Sequence, residues 1–159
     1  MKFTFLLIGK LKQRWLKEGV DEYISRLSPF VKTEFREWTE EKMPENPSTA
    51  QREQVLNAEA DKMLRALPNE GHLILLDTQG REMSSPDLSG YIDSRTVQGI
   101  SHFFFAVGGP FGTGGHIRER ADLRLSLGPL TLTHQMARLI LMEQLYRSVK
   151  ISRHEPYHL

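Results

Sequence analysis

A chain of 159 residues, 39% apolar and 26% charged, has the size and composition of one domain with a real core and leaves little room for a second. It holds no cysteine, which excludes disulfides, thiolate chemistry and thiolate-bound zinc. A net charge of +1 makes a weak case for general polyanion binding, and no apolar run approaches the roughly 20 residues of a membrane span.

Residues 2–9 carry a short apolar run with no small-residue cleavage site. They are expected to be a first strand and not a secretory leader, as in a cytoplasmic protein. Between Trp15 and Leu27, apolar residues at 16, 20, 23, 24 and 27 have helical spacing. Residues 31–38 put Val31, Thr33 and Phe35 on one face, predicting a strand exposed on the other. Residues 39–48 are polar with two prolines and read as a loop. Ser48 and Gln51 have the spacing of a capping box, opening a helix that carries Val55, Leu56, Met63, Leu64 and Leu67. The continuous apolar run 72–77 predicts a strand buried on both faces, followed by a turn at 78–83. Ser85 is the expected N-cap of the next helix, with Pro86 behind it and Leu88, Tyr91 and Ile92 facing inward. A second buried strand is expected at 101–108, a short helix at 117–121, a short strand at 123–128 and a long last helix at 134–150. This alternation predicts an α/β fold, a mainly parallel sheet with helices on both faces. Ligands of such sheets sit at the carboxyl ends of strands, here Leu76-Asp77 and Val107-Gly108.

Charge is unevenly spread. Residues 34–62 are rich in acids, whereas Arg118, Arg120, Arg124, Arg138, Arg147, Lys150 and Arg153 fall in the last third. A polyanion is expected to meet the C-terminal part.

The stretch "FAVGGPFGTGG" (105–115) is a glycine-rich loop after a buried strand. It lacks the lysine and hydroxyl of a P-loop, because Gly115 and His116 follow Gly114. It also lacks the third glycine of a dinucleotide fingerprint. Either it is a tight turn with glycines at positive φ, or its bare backbone serves a ligand. Leu127, Gly128, Pro129, Leu130, Thr131 and Leu132 form an apolar loop that offers backbone groups and no charge. It reads as a buried turn or as the wall for a flat heteroaromatic ring. The apolar stripe of 134–150 is too broad for one face, which predicts burial in the core and against another subunit. Glu143 and Arg147 are four apart, so Arg147 is either half of an ion pair or a phosphate-holding guanidinium. In the tail, Tyr157 and His158 are suited to base stacking and to titration near neutral pH, or the tail is ordered without chemistry. Pro156 between His154 and His158 argues against a helical metal pair.

The "VGGPFG" loop, "LSLGPLTLTHQMAR", "LMEQLYRS" and "PYH" together resemble the small SPOUT-type RNA methyltransferases, specifically the ribosomal large subunit methyltransferase H family, over nearly the whole chain. The resemblance implies one SPOUT domain over 1–159, a C-terminal trefoil knot and a homodimer. It implies methyl transfer from S-adenosyl-L-methionine to N3 of a pseudouridine in 23S rRNA of the assembled 70S ribosome, without a metal or a membrane. Carried over by position, cofactor contacts fall on Leu76, Gly108 and Leu127 to Leu132, and substrate-side residues on Arg147, Tyr157 and His158. Thr133 stands where the family often has proline. The rivals are another SPOUT reaction and a non-catalytic ribosome-associated module.

Overall fold

The computed structural model describes residues 1–157. Its elements in chain order are β1 (Lys2–Ile8), α1 (Arg14–Leu27), β2 (Lys32–Trp38), α2 (Thr49–Arg65), β3 (His72–Glu82), α3 (Ser85–Val97), β4 (His102–Val107), α4 (Gly115–Arg120), β5 (Leu123–Ser126) and α5 (His134–Ser152). The five strands form one sheet in the order β2-β1-β4-β3-β5, and every pairing is parallel.

Side chains alternate across each strand, so the apolar runs serve two cores. Phe3, Phe5, Phe103, Phe105 and Ile74 point to the face covered by α1, α3 and α5, where they meet Val20, Leu88, Ile92, Leu141 and Leu145. Leu6, Ile8, Leu73, Leu75, Phe104 and Ala106 point to the opposite face, against Ala60 and Met63 of α2 and Ile117 of α4. The Phe5 ring lies between Phe35 and Phe105, with centroids 4.7 and 5.4 Å away. Among the described residues no helix is long and apolar enough to cross a membrane.

The structure differs from the sequence expectations at several element ends: β5 stops at Ser126 and not at 128, α5 runs on to Ser152, and three further differences have local causes. Residues 78–82, expected to turn, continue β3. The pairing of β3 with β5 shifts register between Leu76 and Arg81, so Leu76 and Arg81 both pair with Leu125. The backbones come so close here that a Cβ on Gly80 would sit 2.6 Å from the Arg124 carbonyl. The N-cap of α3 is Ser84, not Ser85. Asp87 lies three residues after Ser84 and completes a capping box, while the Ser85 hydroxyl turns to Gln144 at 2.6 Å. Helix α4 starts at Gly115, two residues early, where the Gly115 and His116 amides are received by Glu53 and Asn57. The Ser48–Gln51 box stands as expected.

Three histidines are tied into this frame. His72 Nε2 meets the Tyr91 hydroxyl at 2.8 Å, His102 Nε2 meets Thr4 Oγ1 at 2.8 Å, and His134 packs at the start of α5. Burial is the main cause that holds each below the ordinary histidine value of 6.5. The unfolded chain therefore takes up more protons than the fold in mild acid. The stability from the neutral rings is present above the unfolded value and is lost as pH falls through the folded ones. The melting temperature should accordingly drop between pH 7.5 and about 5.5. A rise over that window would contradict the burial of these rings.

Candidate active site

A cleft of about 530 Å3 opens outside the carboxyl ends of β3, β4 and β5. This is where a parallel sheet leaves strand ends and loops free to meet a ligand, and the volume is in the range of small-molecule sites. Leu76 and Asp77 come from β3, Val107 and Gly108 from the end of β4, and Leu125 and Ser126 from β5. The loops 108–113 and 127–132 rise around it. The first turns of α2 and α5 complete the wall.

Of the residues assigned to the cofactor, Leu76, Gly108, Leu127, Gly128, Leu130, Thr131 and Leu132 line this one cleft. Pro129 is outside its lining. The 108–113 and 127–132 loops give apolar side chains and bare backbone, while Arg52, Glu53, Asp77, Arg118 and His134 bring charged and polar groups to the rest of the lining. A second recess of about 440 Å3, between α1, α5 and the face of β1 and β2, holds none of them.

The glycines of the first loop are needed for different reasons. Gly108 has an ordinary φ, but a Cβ there would lie 2.4 Å from the Gly112 carbonyl oxygen and 2.8 Å from Thr113 Cγ2. Its bareness thus lets the loop fold onto itself. Gly112 and Gly128 have φ of +96° and +115°, which disfavours any side chain, and open space beside them. Gly109 and Gly112 bridge each other, closing a tight turn. The 127–132 loop is pinned where Ser126 Oγ accepts from Gly128 N–H at 3.2 Å. Thr133, the departure from the family's proline, is the N-cap of α5 and accepts from Met136 N–H at 3.1 Å. It replaces proline's fixed φ with a hydrogen bond.

Arg138 lines the second recess and is only 3% exposed. Its Nη2 donates to the Ile8 and Gly9 carbonyls, both at 2.7 Å, and fastens the end of β1 to α5. Its Nη1 is 3.9 Å from Glu37, and its Nε and Nη1 lack hydrogen-bond partners. Burial pulls its pKa down, against the pull of Glu37 and Glu40.

Arg147 and Tyr157, expected on the substrate side, do not line this cleft. Arg147 lies ten residues beyond the cleft-lining Ala137, about 15 Å along α5. Its Nε and Nη2 both donate to Glu143 Oε1, at 3.0 and 2.6 Å, which raises its pKa. Its guanidinium carbon is 4.8 Å from the centroid of the Tyr157 ring. Burial, then Tyr23 and Glu143, push the Tyr157 phenol up to about 12, so it is protonated at neutral pH. His158 lies outside the described residues.

Every base of the C-terminal group has a carboxylate within 4.0 Å: Arg118 with Glu53, Arg120 with Asp122, Arg124 with Asp77, Arg138 with Glu37, Arg147 with Glu143, and Lys150 and Arg153 with Glu155. Among the described residues the asymmetry of the sequence therefore does not become a basic face free of carboxylate partners. Sequence reasoning passed over Thr49, Arg52, Glu53 and Leu56 of α2, which line the cleft. In sequence they belong to an amphipathic helix whose polar residues look like a solvated face.

A family model described as "Predicted SPOUT methyltransferase" matches residues 1–158. The chain is 41% identical to the protein named ribosomal RNA large subunit methyltransferase H of Desulfitobacterium hafniense, covering 99% of both chains. The proteins of the same name from Desulforamulus reducens and Streptococcus gordonii are 43% and 40% identical, again over 99% of both. With its parallel sheet and a loop-walled cleft at the strand ends, the chain belongs to the ribosomal large subunit methyltransferase H family of SPOUT methyltransferases.

Proposed function

We propose that this protein transfers a methyl group from S-adenosyl-L-methionine to N3 of a pseudouridine in 23S rRNA. It does so as a cytoplasmic homodimer acting on the assembled 70S ribosome, with residues 1–159 forming one SPOUT domain whose 127–133 loop and α5 belong to a trefoil knot. The carrying observation is the gathering of Leu76, Gly108 and all but one of residues 127–132 around a single cleft. The names of the relatives support ribosomal RNA as substrate.

The cleft fits the cofactor by its donor set. Leu76, Leu127 and Leu132 offer apolar walls, and backbone groups of the two loops offer hydrogen bonds to a heteroaromatic ring. When bound, the cofactor supplies an activated methyl on a sulfonium, so orientation carries much of the rate. The N3 proton must leave for nitrogen to attack. We assign its removal to His158. Tyr157, with its phenol protonated at neutral pH, orients the base instead of accepting a proton. Arg147 spends Nε and Nη2 on Glu143, leaving Nη1 to hold a phosphate or the developing anion.

The separation on α5 supports a homodimer: Arg147 lies about 15 Å along the helix from its own cleft, and a second copy is the means to bring it and Tyr157 there. Met136 and Ile140, half-buried on α5 and outside the protomer's core clusters, are the apolar side chains we assign to that contact.

The test uses purified protein, labelled S-adenosyl-L-methionine and ribosomes from cells lacking the modification, with free 50S subunits and naked RNA alongside. Label on pseudouridine N3 in 70S particles alone is the expected result. His158→Ala should then lower turnover strongly and leave cofactor affinity at the wild-type value. Label on a ribose, or on a tRNA guanine, would replace this reading by another SPOUT reaction. Cofactor binding without transfer to any RNA would overturn it.

A further inference from the structure

Two large apolar side chains stand exposed at the mouth of the cleft, one on each loop. Phe111 is 46% exposed and Leu130 is 81% exposed. Leu130 falls among the cofactor assignments; Phe111 has no role in them. It sits on the turn closed by the Gly112 N–H to the Gly109 carbonyl at 3.2 Å, so a defined backbone presents the ring. Arg52 of α2 braces it from the rim. Arg52 Nη2 donates to the Phe111 carbonyl at 3.2 Å, and its guanidinium carbon is 5.7 Å from the ring centroid. The other guanidinium lining the cleft, Arg118, is neutralised by Glu53. Among the described residues Arg52 has no carboxylate within ion-pair distance, so the rim keeps one uncompensated positive charge beside an exposed aromatic face.

We infer that Phe111 is the stacking platform for the nucleobase that is methylated and that Arg52 binds a phosphate next to it. The inference rests on the RNA-methyltransferase reading and names a residue pair for its substrate side. N3 lies on the pairing edge of the base, which paired or stacked RNA hides. A base presented to the cleft has left its stack and lost contacts on both faces. An aromatic ring restores one of them without regard to sequence, and a cation beside it takes the backbone charge. The bulkier Leu127 to Leu132 wall remains for the cofactor.

The experiment compares Phe111→Ala, Phe111→Tyr and Arg52→Gln with wild type in the ribosome methylation assay. Cofactor titration calorimetry and sedimentation are run in parallel. Losing one stacked base should lower kcat/KM for ribosomes about 5- to 150-fold in Phe111→Ala. The Kd for S-adenosyl-L-methionine and the oligomeric state should stay unchanged, and Phe111→Tyr should keep most of the wild-type value. Arg52→Gln should weaken ribosome binding and reduce its salt dependence by about one phosphate contact. An equal loss of cofactor affinity in Phe111→Ala would make the ring a cofactor wall. A shift in sedimentation would make it a subunit contact. Either result, or an unchanged kcat/KM, overturns the platform while the methyltransferase stands. A wild-type protein that labels no RNA removes the parent reading and the platform together.

Discussion

Gly108→Val should abolish cofactor binding, with affinity falling by roughly 100-fold or more, because overpacking a fitted loop costs about 1–3 kcal/mol for one methylene and valine adds more. The first carbon of any side chain at 108 would lie 2.4 Å from the Gly112 carbonyl oxygen, which is backbone and cannot swing aside. The turn from Gly109 to Gly112 must then open, and that turn is one wall of the cleft. Gly112→Ala is the control. Nothing lies within 4 Å of its would-be Cβ, so the cost there is only backbone strain at φ +96°, about 1–2 kcal/mol. Calorimetric titration distinguishes the two, and wild-type affinity in Gly108→Val would remove the loop from the site. The variant also tests the proposed dimer. On that proposal, mixing Gly108→Val and His158→Ala protomers should recover activity that neither variant has alone, because one intact cleft and one intact tail then come from different copies.

Arg138→Ala should lower stability by about 3 kcal/mol, a drop in melting temperature of about 6–12 °C for a chain of this length. Two carbonyls at the end of β1 lose their donor in a place water does not reach, and a cavity replaces the guanidinium. Arg138→Met separates the contributions. It fills most of the volume and spares the desolvation of a buried charge whose Nε and Nη1 have no partner, so it should cost only about 1 kcal/mol. Thermal melts monitored by circular dichroism decide. An alanine variant that melts with wild type would mean that the end of β1 is held some other way.

The strands were legible where one side-chain period served two cores. The runs at 72–77 and 101–108 are apolar throughout because Phe103 and Phe105 go to one core and Phe104 and Ala106 to the other. The polar end of β3 was not legible. Thr78 to Glu82 carries turn residues, and its pairing depends on a register shift against β5, some 45 residues away in sequence. In the site, the rule that ligands sit beyond strand ends located Leu76 and Gly108, and the family resemblance supplied the 127–132 run. For Gly108 the sequence left a tight turn and a bare backbone for a ligand side by side, and its contact with Gly112 exists only once the turn has formed. Arg138 looked like one more cation of a basic segment, and only packing shows it to be a buried clamp. The Glu143–Arg147 pair was visible in its spacing, but its distance from the cleft required the three-dimensional path of α5.

The order β2-β1-β4-β3-β5 places β4 as the seam between two half-sheets, β2-β1 and β3-β5. A chain emerging from its N-terminus makes β1, β2 and β3 long before residues 102–107 exist. Until then the apolar edges of β1 and β3 have no strand between them, although Phe3, Phe5, Leu73 and Leu75 are already in place to stick. One edge of β1 pairs with β2 early, but the other must wait for β4, about a hundred residues downstream, a closure that entropy makes slow. Refolding should therefore be limited by the arrival of β4. The nascent chain should be most prone to aggregate in the interval between synthesis of β3 and release of β4, when a chaperone would have the most to protect.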